Sequence, residues 1–419
     1  MAGPTSVAIE AVVTRHFEEA LALWPHRDAD VHGSQRTLDD LLGLDGRVSA
    51  HLDGLRIAQD HGWDESSIEK NLADPGEAFV RAVLALEAQK PDALEQLLQA
   101  VEGNKAAARG VVSAFGWASS SSLRGTVREL LASSHPFRKQ IGIGACAVHR
   151  VDPGSALRGA IVSGDISPGR RALRAVGELG RTDLAPLLET QFAVEDTPSR
   201  FWAAWSSVLT GDRDQGLEIL SVLGLEDASH RLRAMQVVLR VLSQNGARDW
   251  LRSLREEHES ARDLLVGVGV AGDPSYVPWL IDQMEVPELA RVSGEAFSMI
   301  TGVDLGDAYL KRERPQGFTS GPTDDPEDEA VSMDPDQDLS WPDPQLVRSW
   351  WDANRQRFTT GQRYLAGHVV SAEDCHRLLR DGRQGLRQAA ALELALMNPD
   401  TPLFETRAPA FRQQRQLTR

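Results

Sequence analysis

Few stretches of this chain combine residue types and spacing that could do chemistry. Asp334-x-Asp336-x-Asp338 has the carboxylate spacing that opens a calcium loop, in which alternate side chains converge on one cation. Such a loop needs Gly at its sixth position and a bidentate Glu at its twelfth. Leu339 and Gln345 stand there instead, so the stretch reads as solvated acid. His258-Glu259 is a dipeptide that could ligate iron, but a di-iron centre on helical repeats needs several copies, and this one lies alone in REEHESARD. Among the other histidines, His16, His51, His61, His149 and His376 share no i, i+4 ligand spacing. Cys146 in GACAV and Cys375 in AEDCHRLL sit among helix formers and read as buried small hydrophobes. There is no Walker-type loop, no GxSxG, no HExxH and no paired CxxC. The expectation is a non-enzymatic protein with no catalytic residues, metal or cofactor.

What remains is binding chemistry. Ten tryptophans against three tyrosines is an unusual ratio, and two places concentrate large aromatics: Arg200, Phe201, Trp202 and Trp205, then Trp350 and Trp351. Packing between neighbouring helices is the favoured reading, since aromatics dominate cores. The functional reading is a set of anchors for a protein partner, where Trp and Arg are enriched. The net charge of −16 argues against a nucleic-acid partner, because phosphate backbones need a positive field. No run of about 18 apolar residues exists, so no membrane insertion is expected. The acidic N-terminus MAGPTSVAIEAVVTRHFEEA makes a poor secretory signal, and two distant cysteines suit a reducing, cytoplasmic compartment.

The elements that would carry such a surface are helices. LRAVGELGRTDLAPLL, Leu173–Leu188, reads as helix, turn and helix, and it recurs. Val176, Gly177, Gly180, Pro186 and Leu188 fall on Val268, Gly269, Gly272, Pro278 and Leu280 after a shift of 92 positions. Three steps of about 31 residues give that offset. Intermediate copies have turns at His149 and Gly211, Gly116 stands where Gly177 does, and VRAVLALEAQKPDALEQLLQA is the earliest copy. A stretched copy has its turn near Asn245-Gly246. About seven hairpins from 76 to 302 predict an all-α fold, an α-solenoid in which stacked neighbours bury faces that no single hairpin could. Strand signals are nearly absent.

Four segments follow. Residues 1–75 form an N-terminal helical cap: Val7–Trp24 is amphipathic through Val12, Val13, Phe17, Ala20, Leu21 and Trp24, and Leu38–Asp60 is helical but loosened near Gly43-Asp45-Gly46. Residues 76–314 are the array. Residues 315–345 hold nine acidic residues and no Lys or Arg, and should be a mobile, Pro-rich linker. Residues 346–419 give a C-terminal helical cap, with Ser371 and Asp374 spaced as a capping box, and a polar tail from Phe404.

The pattern L-x-x-x-G-x-x-G-[RD]-x-x-x-x-P-x-L resembles the short HEAT-like repeats also found in phycobilisome lyases. More specifically, RHFEEALALWPHRD, LDGRVSAHLDGLRIAQDHGW, WWDANRQRFTTGQRYLAG and RQAAALELAL resemble a bacterial family of HEAT-like-repeat proteins without assigned activity, whose genes often lie near type VI secretion effector modules. The resemblance implies a protein-binding scaffold, adaptor or chaperone, with a secretion effector or its spike as partner. The alternative is a lyase-like enzyme acting on a bound small molecule or chromophore, which predicts a deep pocket.

Overall fold

The computed structural model describes residues 9–64, 68, 70–257, 260–321 and 333–418. His258-Glu259 therefore lies outside the described residues, as does the middle of the acidic segment. Among the described residues the protein is all-helical, with 21 α-helices and one two-stranded hairpin.

In chain order, α1 (Glu10–His32) and α2 (Leu38–Asp60) precede α3 (Pro75–Glu87), α4 (Pro91–Val101), α5 (Lys105–Trp117) and α6 (Thr126–Ala132). Next come α7 (Pro136–Val148), α8 (Ser155–Val162), α9 (Ile166–Glu178), α10 (Ala185–Glu189) and α11 (Thr197–Leu209). They are followed by α12 (Gln215–Glu226), α13 (Ala228–Val241), α14 (Gln244–Glu257), α15 (Ala261–Ala271), α16 (Val277–Gln283) and α17 (Pro287–Thr301). The chain ends with α18 (Pro344–Asn354), the strands β1 (Tyr364–Leu365) and β2 (His368–Val369), α19 (Ala372–Asp381), α20 (Gln384–Met397) and α21 (Ala410–Leu417).

The chain divides into two compact units: Met1–Asp212 with Leu378–Arg419, and Arg213–Arg377. The division parts both the 76–314 array and the 346–419 segment, because composition marks surface chemistry and not which helices share a core.

In the first unit, α3, α5, α7, α9 and α11 pack each on the next, and α4, α6, α8 and α10 return the chain between them. Helix starts are written locally: Asp74, Asn104 and Asp196 accept backbone N–H groups from Glu77, Ala106 and Ser199 at 2.8–3.0 Å. Close approach is set by small residues. A Cβ on Gly177 would stand 2.8 Å from Ser206 Cα, and Ser206 Oγ donates to Leu173 O at 2.6 Å. The turns after these helices need a left-handed residue, supplied by Gly180 (φ +62°) and Gly211 (φ +110°). After α7 that conformation falls on Arg150 (φ +54°), one residue beyond the expected His149, and after α3 it falls on Gln89 (φ +53°).

The cap helices correct the sequence reading. α2 runs unbroken through Gly43 and Gly46, because Asp45 between them is buried and bonded to Arg27 Nε at 2.8 Å. On α1, Val13, Phe17, Ala20 and Trp24 are buried, but Val12 is exposed.

In the second unit, α13 packs on α12 and α15, and α15 on α17. The expected turn at Asn245-Gly246 lies instead at Leu242-Ser243. Ser243 Oγ accepts from Gly246 N at 3.2 Å, which puts Asn245 and Gly246 in the first turn of α14. The described parts of the acidic segment are packed, unlike a mobile linker. Asp334 pairs with Arg291 at 2.8 Å, buried Asp336 pairs with Arg262 at 2.5 Å, and Trp341 lies over the Arg291 guanidinium at 4.6 Å. Guanidinium groups from the helices supply the counter-charges that the segment lacks. Both cysteines are buried, and burial pushes the Cys146 thiol up to about 11.

Candidate functional site

The parallel helices of the first unit have two ends, and the structure treats them differently. Their C-terminal ends expose carbonyls that a helix cannot satisfy internally. The segment after α20 runs back along this row. Pro399 faces Gly211 and Thr401 faces Gly180. Leu403 N then donates to Glu178 O at 3.0 Å, and Arg412 donates to Val148 O at 3.0 Å and Gly116 O at 2.8 Å. Phe411 closes the row edge-on against Trp117 at 6.2 Å. The chain's own C-terminal segment thus caps one helix after another, in reverse order.

Buried charge fixes this segment. Glu405 pairs with Arg150 at 3.0 Å and Arg407 at 2.8 Å, and Ala410 N donates to Asp45 Oδ2 at 2.6 Å. Glu178 accepts from Arg171 at 2.9 Å and Arg174 at 2.8 Å, with Arg407 at 4.0 Å. Burial pushes the Glu178 carboxyl up, but the Arg171, Arg174, Arg150 and Arg407 guanidinium groups outweigh it and hold the group at about 2. Glu405 is likewise held below the ordinary range, burial being outweighed by Arg407 and Arg150.

The N-terminal ends of the same helices border an open groove of about 360 Å³. Lys105 and Ala108 come from the start of α5, and Phe137 and Gln140 from the start of α7. Arg170 and Arg171 come from one turn of α9, Arg174 from the next, and Trp202 from α11. Arg174 lies over the Trp202 ring at 4.8 Å, which orients an indole left half-exposed. Arg170 is held by Asp196, the residue that caps α11. Among the described residues, Lys105, Gln140 and Ser167 have no side-chain hydrogen bond or ion pair. Positive helix ends, four cations and free donors converge on one face of a chain carrying −16.

No protein-family model, curated protein or solved structure matches the chain.

The residues singled out in the sequence are distributed unevenly. Phe201 is fully buried and Trp205 buried, with Trp202 against them at 5.0 and 5.5 Å, so this cluster is a core edge from which Trp202 emerges. Arg200 is half-buried, and its Nε is buried without a partner. In the second unit, Trp350 stacks edge-on against buried Phe297 at 5.6 Å, and buried Trp351 lies 5.3 Å from Phe358. Of these aromatics, Trp202 is the one that lines the groove. Lys105, Gln140, Arg170, Arg171 and Arg174 were not among the residues that stood out by type in the sequence. The available signal was ISPGRRALR, three arginines at i, i+1 and i+4 at the start of a helix in an acidic chain. Among the described residues, no group of three or more His, Cys, Asp or Glu could hold a metal ion, and no helix is long and apolar enough to cross a membrane.

Proposed function

We propose that the chain is a non-enzymatic scaffold of HEAT-like hairpins that holds a segment of another protein on the N-terminal ends of α5, α7, α9 and α11. The observation that carries this reading is the groove over those helix starts, with unpartnered Lys105 and Gln140 beside half-exposed Trp202. Stacked helices form an extended surface suited to a chain segment. The opposite ends are already occupied by the chain's own C-terminal segment, which leaves the groove as the open end of the row. Its side chains include four cations, two amides, a hydroxyl, a phenyl ring and an indole, groups that orient a polar segment with an apolar anchor. The sequence resemblance narrows the partner to a type VI secretion effector or its spike.

The test is paired capture and coexpression with candidate effectors. A partner retained by the native chain and by Val162→Ser, which alters an exposed residue outside the groove, should be lost from Trp202→Ala. Equal retention by all three chains would sink the reading.

A further inference from the structure

We infer that the ligand of this groove is an acidic peptide stretch, bound through its side-chain carboxylates and anchored by one apolar side chain beside Trp202. The inference rests on the scaffold reading and names the chemistry that the scaffold selects. Four cations line the groove, and two carboxylates, Asp196 and Glu178, hold three of them, which leaves a local surplus of two positive charges. Each guanidinium presents five N–H donors in a planar fork, so one carboxylate partner does not exhaust it. Arg171 spends only Nη1, on Glu178, and Lys105 spends nothing.

The distribution of these groups favours carboxylates over phosphate. The cations sit at the start of α5 and at three positions of α9, an arrangement matched by several single charges along a peptide and not by one compact dianion. Ala108, Phe137 and Trp202 give the same groove an apolar wall, which a purely ionic ligand would leave wet.

Fluorescence anisotropy on the full chain tests the assignment with three labelled probes: a short Asp/Glu-rich peptide containing one Leu, its Asn/Gln counterpart, and single-stranded DNA. The acidic peptide should bind at least about tenfold tighter than the amide peptide at low salt. That advantage should shrink as ionic strength rises to about 0.5 M. Arg171→Gln and Lys105→Gln should each weaken the acidic probe severalfold and leave the amide probe unchanged. Equal binding of the two peptides overturns the assignment, and so does tighter binding of DNA. If the captured partner of the preceding test depends on Trp202 but not on Lys105 or Arg171, the scaffold reading stands and the acidic ligand falls.

Discussion

Both units must satisfy carbonyls at the ends of packed helices, and they solve the problem with different chemistry. In the first unit the covering segment comes from the far end of the chain and is fastened by buried ion pairs among Glu178, Glu405, Arg150 and Arg407. In the second, the β1–β2 hairpin covers the ends of α15 and α17 through backbone groups. Tyr364 N donates to Gly272 O at 2.9 Å, Ala366 N to Met299 O at 2.8 Å and Gly367 N to Ile300 O at 3.0 Å. Backbone pairing is fixed by geometry and does not titrate. Pairing through charge makes the covering segment sensitive to pH and to single substitutions. It also ties that segment to the groove, since Glu178 binds Arg171 and Arg174 of the groove and lies near Arg407 of the covering segment.

The largest effect should come from breaking the ionic fastening. Glu178→Gln leaves the surrounding guanidinium groups without their shared counter-charge, and breaking a buried pair typically costs about 3–5 kcal/mol. Urea unfolding should show that loss in the first unit. Limited trypsin digestion should cut at Arg407 and Arg412, both engaged in the native chain. A C-terminal segment as protected as in the native chain would remove charge as the fastening.

The backbone fastening should break through geometry instead. Gly302 has φ +73°, and a Cβ there would meet the Ala366 carbonyl. Gly302→Ala combines a left-handed penalty with overpacking, for about 2–3 kcal/mol lost from the second unit. Lys311→Gln, at an exposed position of the same unit, should cost little. Equal loss from both variants in chemical denaturation would contradict the close-approach argument.

These contrasts mark what could be read in the sequence. Helix pairs and left-handed turns were legible because Gly180, Gly211 and Gly272 are the residues that such turns favour. Where Arg150 and Gln89 take the same conformation, the sequence carries no such mark, and the register slipped by one at His149. The stretch Gly43-Asp45-Gly46 read as a loosened part of the helix, since the partners of Asp45, Arg27 on α1 and Ala410 on α21, come from other helices. The C-terminal segment read as a polar tail for the same reason: its contacts with Gly116, Val148 and Glu178 span hundreds of residues. The groove was half legible. Trp202 stood out by type, but Lys105 and Gln140 are ordinary surface residues until α5, α7 and α9 are laid side by side.

A pH series should separate the two fastenings more gently. His149 Nε2–H donates to Phe115 O at 2.7 Å, and its Nδ1 accepts from Arg412 at 2.9 Å. Burial, then the Arg412 charge, lowers its pKa below the usual 6.5. The unfolded chain therefore binds that proton first, and stability falls as pH drops through and below the ordinary histidine range. Glu178 acts in the same direction at lower pH: its contribution is present above the ordinary glutamate range and is lost as pH falls toward about 2. Amide exchange should show the C-terminal segment loosening between about pH 6.5 and 5, with the backbone bonds of the hairpin unchanged. Parallel loosening of both would show that the histidine plays no part.

The smallest expected effect is the sharpest test of the division of labour within the first unit. Lys105 is exposed at the start of α5 and, among the described residues, has no side-chain partner. Lys105→Gln should therefore leave unfolding free energy within about 0.5 kcal/mol of the native value. It removes a cation from a positive helix end, where charge of that sign is mildly unfavourable, so any shift should be a slight gain. Arg171→Gln takes a charge from Glu178 as well as from the groove and should cost both stability and binding. A Lys105 variant that binds an acidic probe less well at unchanged stability would place recognition at the open ends of the helices. A variant that loses stability in step with binding would return Lys105 to the fold and leave the groove without a dedicated binding residue.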